Sequence, residues 1–267
     1  MDLGIRGKRA FVSGSSSGIG RAIALELAAE GCDIAVHGRN KARTEETAHA
    51  AEALGVKAVV TLGDLATMEG CDKAAAEALA GFGSVEIVIN NAGIALRKDN
   101  PVWSEVPDQT WVDSFQVNFM SALRMSKAFL PCVIEAGWGR FIQISTGGSR
   151  TAGILSEYGA VKAAMNKLTA DIAKTVGKHG ATSNGIMPGL IMTPAIEEYL
   201  GVLAGQMGWE GDLAELERNW LQIMPQSVQR VGRPRDIAAM TAFLCSPLAG
   251  YMTGVTFAIN GGQGNFV

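Results

Sequence analysis

Short apolar runs and amphipathic stretches alternate along the whole chain. Arg9-Ala-Phe-Val-Ser13 has the length and composition of a buried strand. A glycine-rich turn from Gly14 to Gly20 follows, and then Ile19, Ile23 and Leu27 recur at helical spacing until Gly31 stops the helix. The same rhythm predicts strands at Asp33 to His37, Val56 to Leu62, Val85 to Asn90, Arg140 to Ile144, Thr182 to Met187 and Val255 to Ile259. Between them lie a polar-faced helix from Lys41 to Leu54, an alanine-rich helix ending near Phe82, and a long helical region from about Asp108 to Ala136, in one piece or two. A further helix carries Val161, Met165, Leu168 and Ile172 at three- and four-residue intervals. This alternation predicts an α/β fold, a parallel sheet with helices on both faces and right-handed crossovers. Ligands in such sheets bind beyond the carboxyl ends of the strands.

The rhythm breaks between Pro194 and Pro234. There Tyr199, Leu203, Met207, Trp209, Leu213, Leu216, Trp220 and Met224 recur among charged residues, which predicts one or two amphipathic helices inserted before the last helix. A lid over a pocket and an ordinary packed insert fit that pattern equally well.

Composition narrows the classes. Hydrophobic residues are 48% and charged residues 18% of the 267, enough for one large core. A net charge of -3 with no basic run speaks against a nucleic-acid partner. Cys32, Cys71, Cys132 and Cys245, with only three histidines beside them, show no metal-site spacing, so no metal is expected. They read as free thiols in a reducing cytoplasm. The N-terminal residues lack an apolar signal core. Ile237 to Ile259 carries no charge and is long enough to span a bilayer, but Ser246-Pro247, Gly250 and Gly254 punctuate it. A buried helix, a turn and a buried strand explain it better than a membrane span.

Three stretches carry chemistry. Gly14-Ser-Ser-Ser-Gly18-Ile-Gly20 lies in the first strand-to-helix turn, where glycines let a phosphate approach the backbone and the helix start attracts its charge. The same residues spell a Gly14-x-Ser16-x-Gly18 nucleophile elbow. That reading fails because it falls on the first strand, and none of His37, His49 and His179 shows a distinctive setting in sequence. The second stretch, Asn90-Asn91-Ala92-Gly93, follows the fourth strand; alone it is a turn signal. The third is Tyr158-Gly-Ala-Val-Lys162, with Ser145 thirteen residues upstream of the tyrosine. Residues four apart on a helix are neighbours. A phenol ionises near pH ~10, and a cation beside it favours the phenolate, so the expectation is a Tyr158 pKa drawn toward neutrality. The bland alternative is a surface tyrosine beside a surface lysine. Asp64-Leu65, after the third strand, suits either an acceptor for an adenine amino group or a helix N-cap.

The glycine turn, Asn-Asn-Ala-Gly, Asn118, Ser145, Tyr158-x-x-x-Lys162 and Pro188-Gly189-Leu-Ile-Met-Thr193 occur in one order over essentially the whole chain. Together they resemble the short-chain dehydrogenase/reductase family. Departures are small: Ser13-Gly14 stands where Thr-Gly is commoner, and Ala181-Thr-Ser-Asn184 replaces Arg-Val-Asn before Pro-Gly. The resemblance implies a Rossmann-like, doubly wound, parallel seven-stranded sheet of order 3-2-1-4-5-6-7. It implies one dinucleotide-binding catalytic domain over residues 1–267, with a helical substrate-lid insert at about 194–230. Tyr158 would move a proton, Ser145 would hold the substrate oxygen, Lys162 would bind the nicotinamide ribose and tune Tyr158, and Asn118 would hold a water. Gly14, Ser16, Ser17, Gly18, Ile19, Gly20, Asp64, Leu65, Asn91, Ala92, Gly93, Pro188, Gly189, Ile191 and Thr193 would line the cofactor.

The cofactor choice turns on Gly38-Arg39, which stand at the end of the second strand, where NAD-dependent members place an Asp for the ribose hydroxyls. A missing carboxylate and a pairing arginine favour NADP over NAD, although Ser17 occupies a position where NADP enzymes often carry a basic residue, and Arg39 read alone is a solvated charge. The resemblance therefore implies an oxidoreductase that interconverts a secondary alcohol and a ketone, and the apolar makeup of the expected pocket suggests a hydrophobic small molecule as its substrate. Ser145, Gly147, Leu155, Tyr158, Met192 and the Trp-rich insert would form its pocket. Alternatives are a 3-oxoacyl thioester reductase of fatty-acid synthesis and a non-catalytic NADP-binding sensor. The family also implies a homo-oligomer, tetramer or dimer, joined through the central helices and the tail from Gly261 to Val267.

Overall fold

The structure, a computed structural model, describes residues 2–95, 102–152 and 155–263. The last four residues of the tail named above lie outside them. Seven parallel strands form one sheet in the order β3-β2-β1-β4-β5-β6-β7. They are β1 (Arg9–Val12), β2 (Asp33–Gly38), β3 (Ala58–Leu62), β4 (Ile87–Asn90), β5 (Gly139–Ile144), β6 (Ala181–Pro188) and β7 (Thr256–Ile259). The helices are α1 (Gly18–Ala29), α2 (Lys41–Glu52), α3 (Met68–Phe82), α4 (Asp108–Phe115), α5 (Ser121–Ala136), α6 (Ser156–Val176), α7 (Pro194–Met207), α8 (Leu213–Ile223) and α9 (Pro234–Cys245).

Both faces of the sheet are covered, which is why its strands read as continuous apolar runs rather than alternating ones. Val12, Ile34, Val36, Ile89, Ile142 and Ile186 pack on one face against Ile23 and Leu27 of α1 and Ile237 and Leu244 of α9. Phe11, Ala35, Val88 and Phe141 pack on the other against Ala74 and Ala78 of α3 and Met125, Phe129 and Val133 of α5. The charge-free stretch from 237 to 259 is the buried α9, a short turn and β7. No helix among the described residues is long and apolar enough to cross a membrane.

The long helical region is neither one regular helix nor two separate ones. Residues Gln116–Met120 form a π-helical turn that joins α4 to α5 without a loop. The insert is two helices. Thr193 caps α7, and Asp212 with Glu215 builds a capping box on α8. Leu200 and Trp220 bury against Met192 and Val231, with Leu190, Ile196, Leu203, Leu216, Leu221 and Met224 around them. The two helices thus close a small core of their own.

Candidate active site

The turns after β1, β4 and β6 meet at the carboxyl ends of the strands. Gly14 holds φ +66°, and a Cβ there would lie 3.1 Å from the Ala92 Cα. A Cβ on Gly20 would strike the Gly14 carbonyl and the Asn91 amide, so only glycine fits. Gly18, at φ +55°, faces the Thr193 methyl, which brings the turn after β6 onto the start of α1. Ser17 at the α1 N-cap makes no side-chain bond to the helix. The first-turn N–H groups therefore form a ready anion seat, reinforced by the helix dipole. Ile191 is buried and bridges to Gly232, and Gly189 packs against Asn260, which anchor the segment from Pro188 to Thr193.

Ser13 stitches these turns together. Its hydroxyl donates to the Ile89 carbonyl (3.1 Å) and accepts from the N–H groups of Asn91 and Ala92 (2.9 Å each). The Asn91 amide donates to the Ser13 carbonyl at 2.9 Å. The serine that looks like a minor departure from the family in sequence is thus the clamp between β1 and β4.

The second cluster lies at the ends of β4 and β5. A Cβ on Gly93 would lie 2.6 Å from Asn118 Oδ1 and 2.9 Å from Lys162 Nζ, so the turn sits directly on both side chains. Asn118 is fully buried in the π-helical turn. Its amide donates to the carbonyls of Ile94 and Ser114 (3.0 Å each), and its Oδ1 accepts from the Ile94 N–H (2.9 Å). Lys162 is 1% exposed; its Nζ donates to the Ile144 carbonyl at 2.9 Å and lies 5.6 Å from the centre of the Tyr158 ring. Ser145 is buried, and its hydroxyl donates to the Lys162 carbonyl at 3.2 Å. Leu155, immediately before α6, is a non-glycine residue in the left-handed region at φ +52°, and its carbonyl accepts from Gly159. That conformation carries roughly 1–2 kcal/mol of strain and is typical of functional sites. A Cβ on Gly159 would meet the Gly148 carbonyl at 2.7 Å, so this glycine lets the turn from Gly147 rest on α6.

Gly93, Lys162 and the start of α6 thus link Asn118, Ser145, Tyr158 and Lys162, the set that the family resemblance implies, but one expectation is overturned. Burial pushes the Tyr158 phenol up to about 12 and the Lys162 ammonium down to about 7. Desolvation of the phenolate outweighs the pull of a lysine whose own charge is poorly solvated and whose Nζ is committed to Ile144. The Tyr158 side chain is half-buried. Sequence spacing shows the proximity of the pair and not its depth.

Two further corrections concern neighbouring turns. Thr67, not Asp64, caps α3, accepting from Gly70 N–H at 3.0 Å. Asp64 is exposed and its Oδ1 accepts from Ala66 N–H, while Leu65 is buried behind it. His37, in sequence a strand residue without distinctive setting, is 3% exposed and bonded through both ring nitrogens. At Gly38 a Cβ would strike the Thr44 hydroxyl and lie 2.9 Å from the Ser16 Cβ, so no carboxylate side chain fits there without rearrangement. Arg39 beside it is exposed. Ser16 lies against Gly38 and Ser17 is exposed at the turn. Of the pocket residues expected from sequence, Gly147 and Leu155 border the cleft next to α6, and Met192 is 7% exposed within the core of the insert.

This arrangement matches known proteins over its full length. A family profile described as Enoyl-(Acyl carrier protein) reductase matches residues 14–263. The chain is 35% identical to the 3-oxoacyl-acyl-carrier-protein reductase FabG of Haemophilus influenzae, over 97% of this chain and 98% of that one. It is 31% identical to an L-rhamnose 1-dehydrogenase (NAD(P)(+)) from Sphingomonas, over 97% of each. The crystal structure of L-sorbose reductase from Gluconobacter frateurii, complexed with NADPH and L-sorbose, superposes with a TM-score of 0.93 at 30% identity, covering all of both chains. The chain belongs to the short-chain dehydrogenase/reductase family and is an NAD(P)-dependent oxidoreductase acting between alcohol and carbonyl groups.

Proposed function

We propose that the enzyme interconverts a secondary alcohol and a ketone on a small molecule, with NADP preferred over NAD, and that Tyr158 moves the proton. The observation that carries this reading is Lys162: its buried Nζ lies beside Tyr158, against Gly93 and bonded to the Ile144 carbonyl at the end of β5. The residues present fit a dinucleotide. The uncapped first turn of α1, with Ser16, Ser17, Gly18, Ile19 and Gly20, suits a pyrophosphate. Leu65 and exposed Asp64 suit an adenine, and Asn91, Ala92, Gly93, Pro188, Gly189, Ile191 and Thr193 suit a flat ring and its carboxamide. When bound, the cofactor supplies or takes the hydride.

The chain's own residues handle orientation and the proton. Tyr158 donates its phenolic proton to the carbonyl oxygen in reduction and recovers it in oxidation. Ser145 turns its hydroxyl from the Lys162 carbonyl to the same oxygen and stabilises charge there as it develops. A lysine with a pKa of about 7 takes up or releases a proton at physiological pH, so Lys162 refills Tyr158 as well as gripping the ribose. Asn118, whose side-chain amide is committed to Ile94 and Ser114, is the residue in the π-helical turn that would hold a water in the proton path. Gly147, Leu155 and Met192 with the insert border the substrate.

The NADP preference rests on Gly38, where a carboxylate is sterically excluded, and on Arg39 beside it. The name of the Haemophilus relative suggests a carrier-bound thioester as substrate instead. Docking of an acidic carrier protein would call for exposed basic residues, but Arg140 on β5 is 2% exposed and donates to the Gly139 and Ser246 carbonyls. It therefore offers nothing to an acidic carrier protein, which favours a free small molecule. The enzyme works in the cytoplasm as a homo-oligomer, where a second copy covers exposed Val112 and Phe115 of α4 and Tyr251, Met252 and Val255 beside the edge strand β7. Assay of a ketone and secondary-alcohol panel with both cofactors tests the reading. Turnover with NADPH at lower KM than NADH supports it; cofactor binding without turnover on any member overturns it.

A further inference from the structure

His37 is the one histidine buried in the sheet, at the end of β2, and it joins three elements. Its Nδ1 lies 3.1 Å from the Gly14 nitrogen and accepts that N–H. With Nδ1 so used, the ring proton sits on Nε2, which donates to the Gly63 carbonyl at 3.1 Å. Its backbone is also tied to the glycine turn: His37 N–H donates to Ser15 Oγ at 2.9 Å, and Ser15 N–H donates to the His37 carbonyl at 2.8 Å. The ring packs beside Phe11, with ring centres 5.8 Å apart. Asp64 after β3 and Arg39, just past the end of β2, are the charged groups that bear on it. Burial holds it neutral, which keeps Nδ1 an acceptor.

Gly14 is the residue through which this matters. It stands in the left-handed region, and the plane of the peptide entering it sets the direction of the anion-seat turn. Its carbonyl is held by the Asn91 amide. Its N–H is held by His37, a rigid ring that is itself fixed from behind by Gly63, the residue before Asp64. An isolated turn of small residues has many conformations; here both polar groups of Gly14 are pinned from neighbouring strands. We infer that His37 is a positioning residue for the dinucleotide: acting through Gly14, it preorganises the phosphate turn and ties it to the adenine-side turn after β3. This rests on the reading of the glycine turn as the dinucleotide seat, and the test separates the two.

Asparagine places Oδ1 where Nδ1 stands and keeps the acceptor for Gly14. Glutamine places an amide near Nε2, keeps the donor to Gly63 and leaves the Gly14 N–H without its acceptor. NADPH dissociation constants, steady-state constants and thermal midpoints are measured for the wild type, Ser17→Asp, His37→Gln and His37→Asn. Ser17→Asp puts a negative charge at the exposed seat; if it binds NADPH as the wild type does, the dinucleotide reading of this turn falls, whatever His37 does. If Ser17→Asp loses binding, the histidine variants decide. His37→Gln is expected to raise the NADPH Kd and KM about ten-fold, equivalent to about 1.4 kcal/mol, with kcat and the ketone KM within two-fold of wild type. His37→Asn is expected to stay within about three-fold for NADPH, at the level of a partly kept hydrogen bond. Equal NADPH affinity in the wild type and His37→Gln overturns the inference. So does an equal loss in both histidine variants that follows only their thermal midpoints, since a merely structural role predicts that. If His37→Gln does not fold, His37→Asn against His37→Phe provides the same contrast of acceptor kept and acceptor lost.

Discussion

The two sides of the cleft are built on different principles. On the cofactor side, three turns that are far apart in sequence interlock through backbone groups: Ser13 clamps Asn91 and Ala92, Asn91 holds the carbonyls of residues 13 and 14, and His37 holds the Gly14 N–H. Glycines allow this approach, because a Cβ at residue 14, 20 or 93 would meet a neighbouring turn. On the insert side, α7 and α8 bury Leu200 and Trp220 against Met192 and Val231 and leave Tyr199, Val202, Met207, Leu213 and Ile223 exposed. One side is fixed by hydrogen bonds between turns. The other is held by a small apolar cluster separate from the two cores that pack on the sheet.

Removing the lysine breaks the comparison most strongly. Lys162→Met should lower kcat by about 10³-fold, within the range of lost acid–base and positioning effects. It should also raise stability, on the order of 2 kcal/mol net, because it removes a buried ammonium and leaves only the Ile144 carbonyl unpaired. Activity assays and chemical denaturation check the two directions, which oppose each other. Trp220→Ala should cost the insert about 3 kcal/mol through the cavity it leaves. The substrate KM should rise and proteolysis within 194–223 should quicken, with NADPH affinity unchanged. A matching loss of NADPH affinity would mean that the two sides are one unit.

The His37 titration sharpens the same contrast from the cofactor side. Its folded pKa is lowered to about 4 from 6.5, so between those values the unfolded state binds more protons. Stability from this group is complete above pH 6.5 and is lost as pH falls toward 4, by about 2–3 kcal/mol at pH 4.5. Denaturation at pH 7.5 and 4.5 should show this loss in the wild type and a correspondingly smaller one in His37→Asn. The smallest effect is expected from Arg39→Ala. It should raise the NADPH KM about ten-fold and leave the NADH KM unchanged, in line with a single charge-assisted contact to phosphate.

What was legible in the sequence follows the same division. The parallel sheet is legible because strands buried on both faces give unbroken apolar runs, whereas the strand order and the candidate catalytic set are legible only through the family resemblance that the ordered motifs carry. The glycine turn was readable because only glycine satisfies the contacts of residues 14 and 20. His37 was not: a histidine ending a strand looks the same whether it faces solvent or bridges two buried turns. The π-helical turn was not, because Gln116-Val-Asn-Phe-Met carries no residue that demands it. The upward direction of the Tyr158 pKa is not legible, because adjacency to a cation is visible in sequence and depth is not. The insert is legible as helical but not as one helix or two, and the packing that divides it into α7 and α8 is not encoded in periodicity.

If Tyr158 moves the proton, it does so at a site whose cofactor side is assembled without it. Tyr158→Phe, followed by NADPH titration and by single-turnover reduction of the best ketone from the panel, tests it most directly. The account predicts an NADPH Kd within two-fold of wild type and a single-turnover rate reduced by about 10³-fold, the scale of a lost general acid. A rate within ten-fold of wild type would contradict it, because another group would then be delivering the proton.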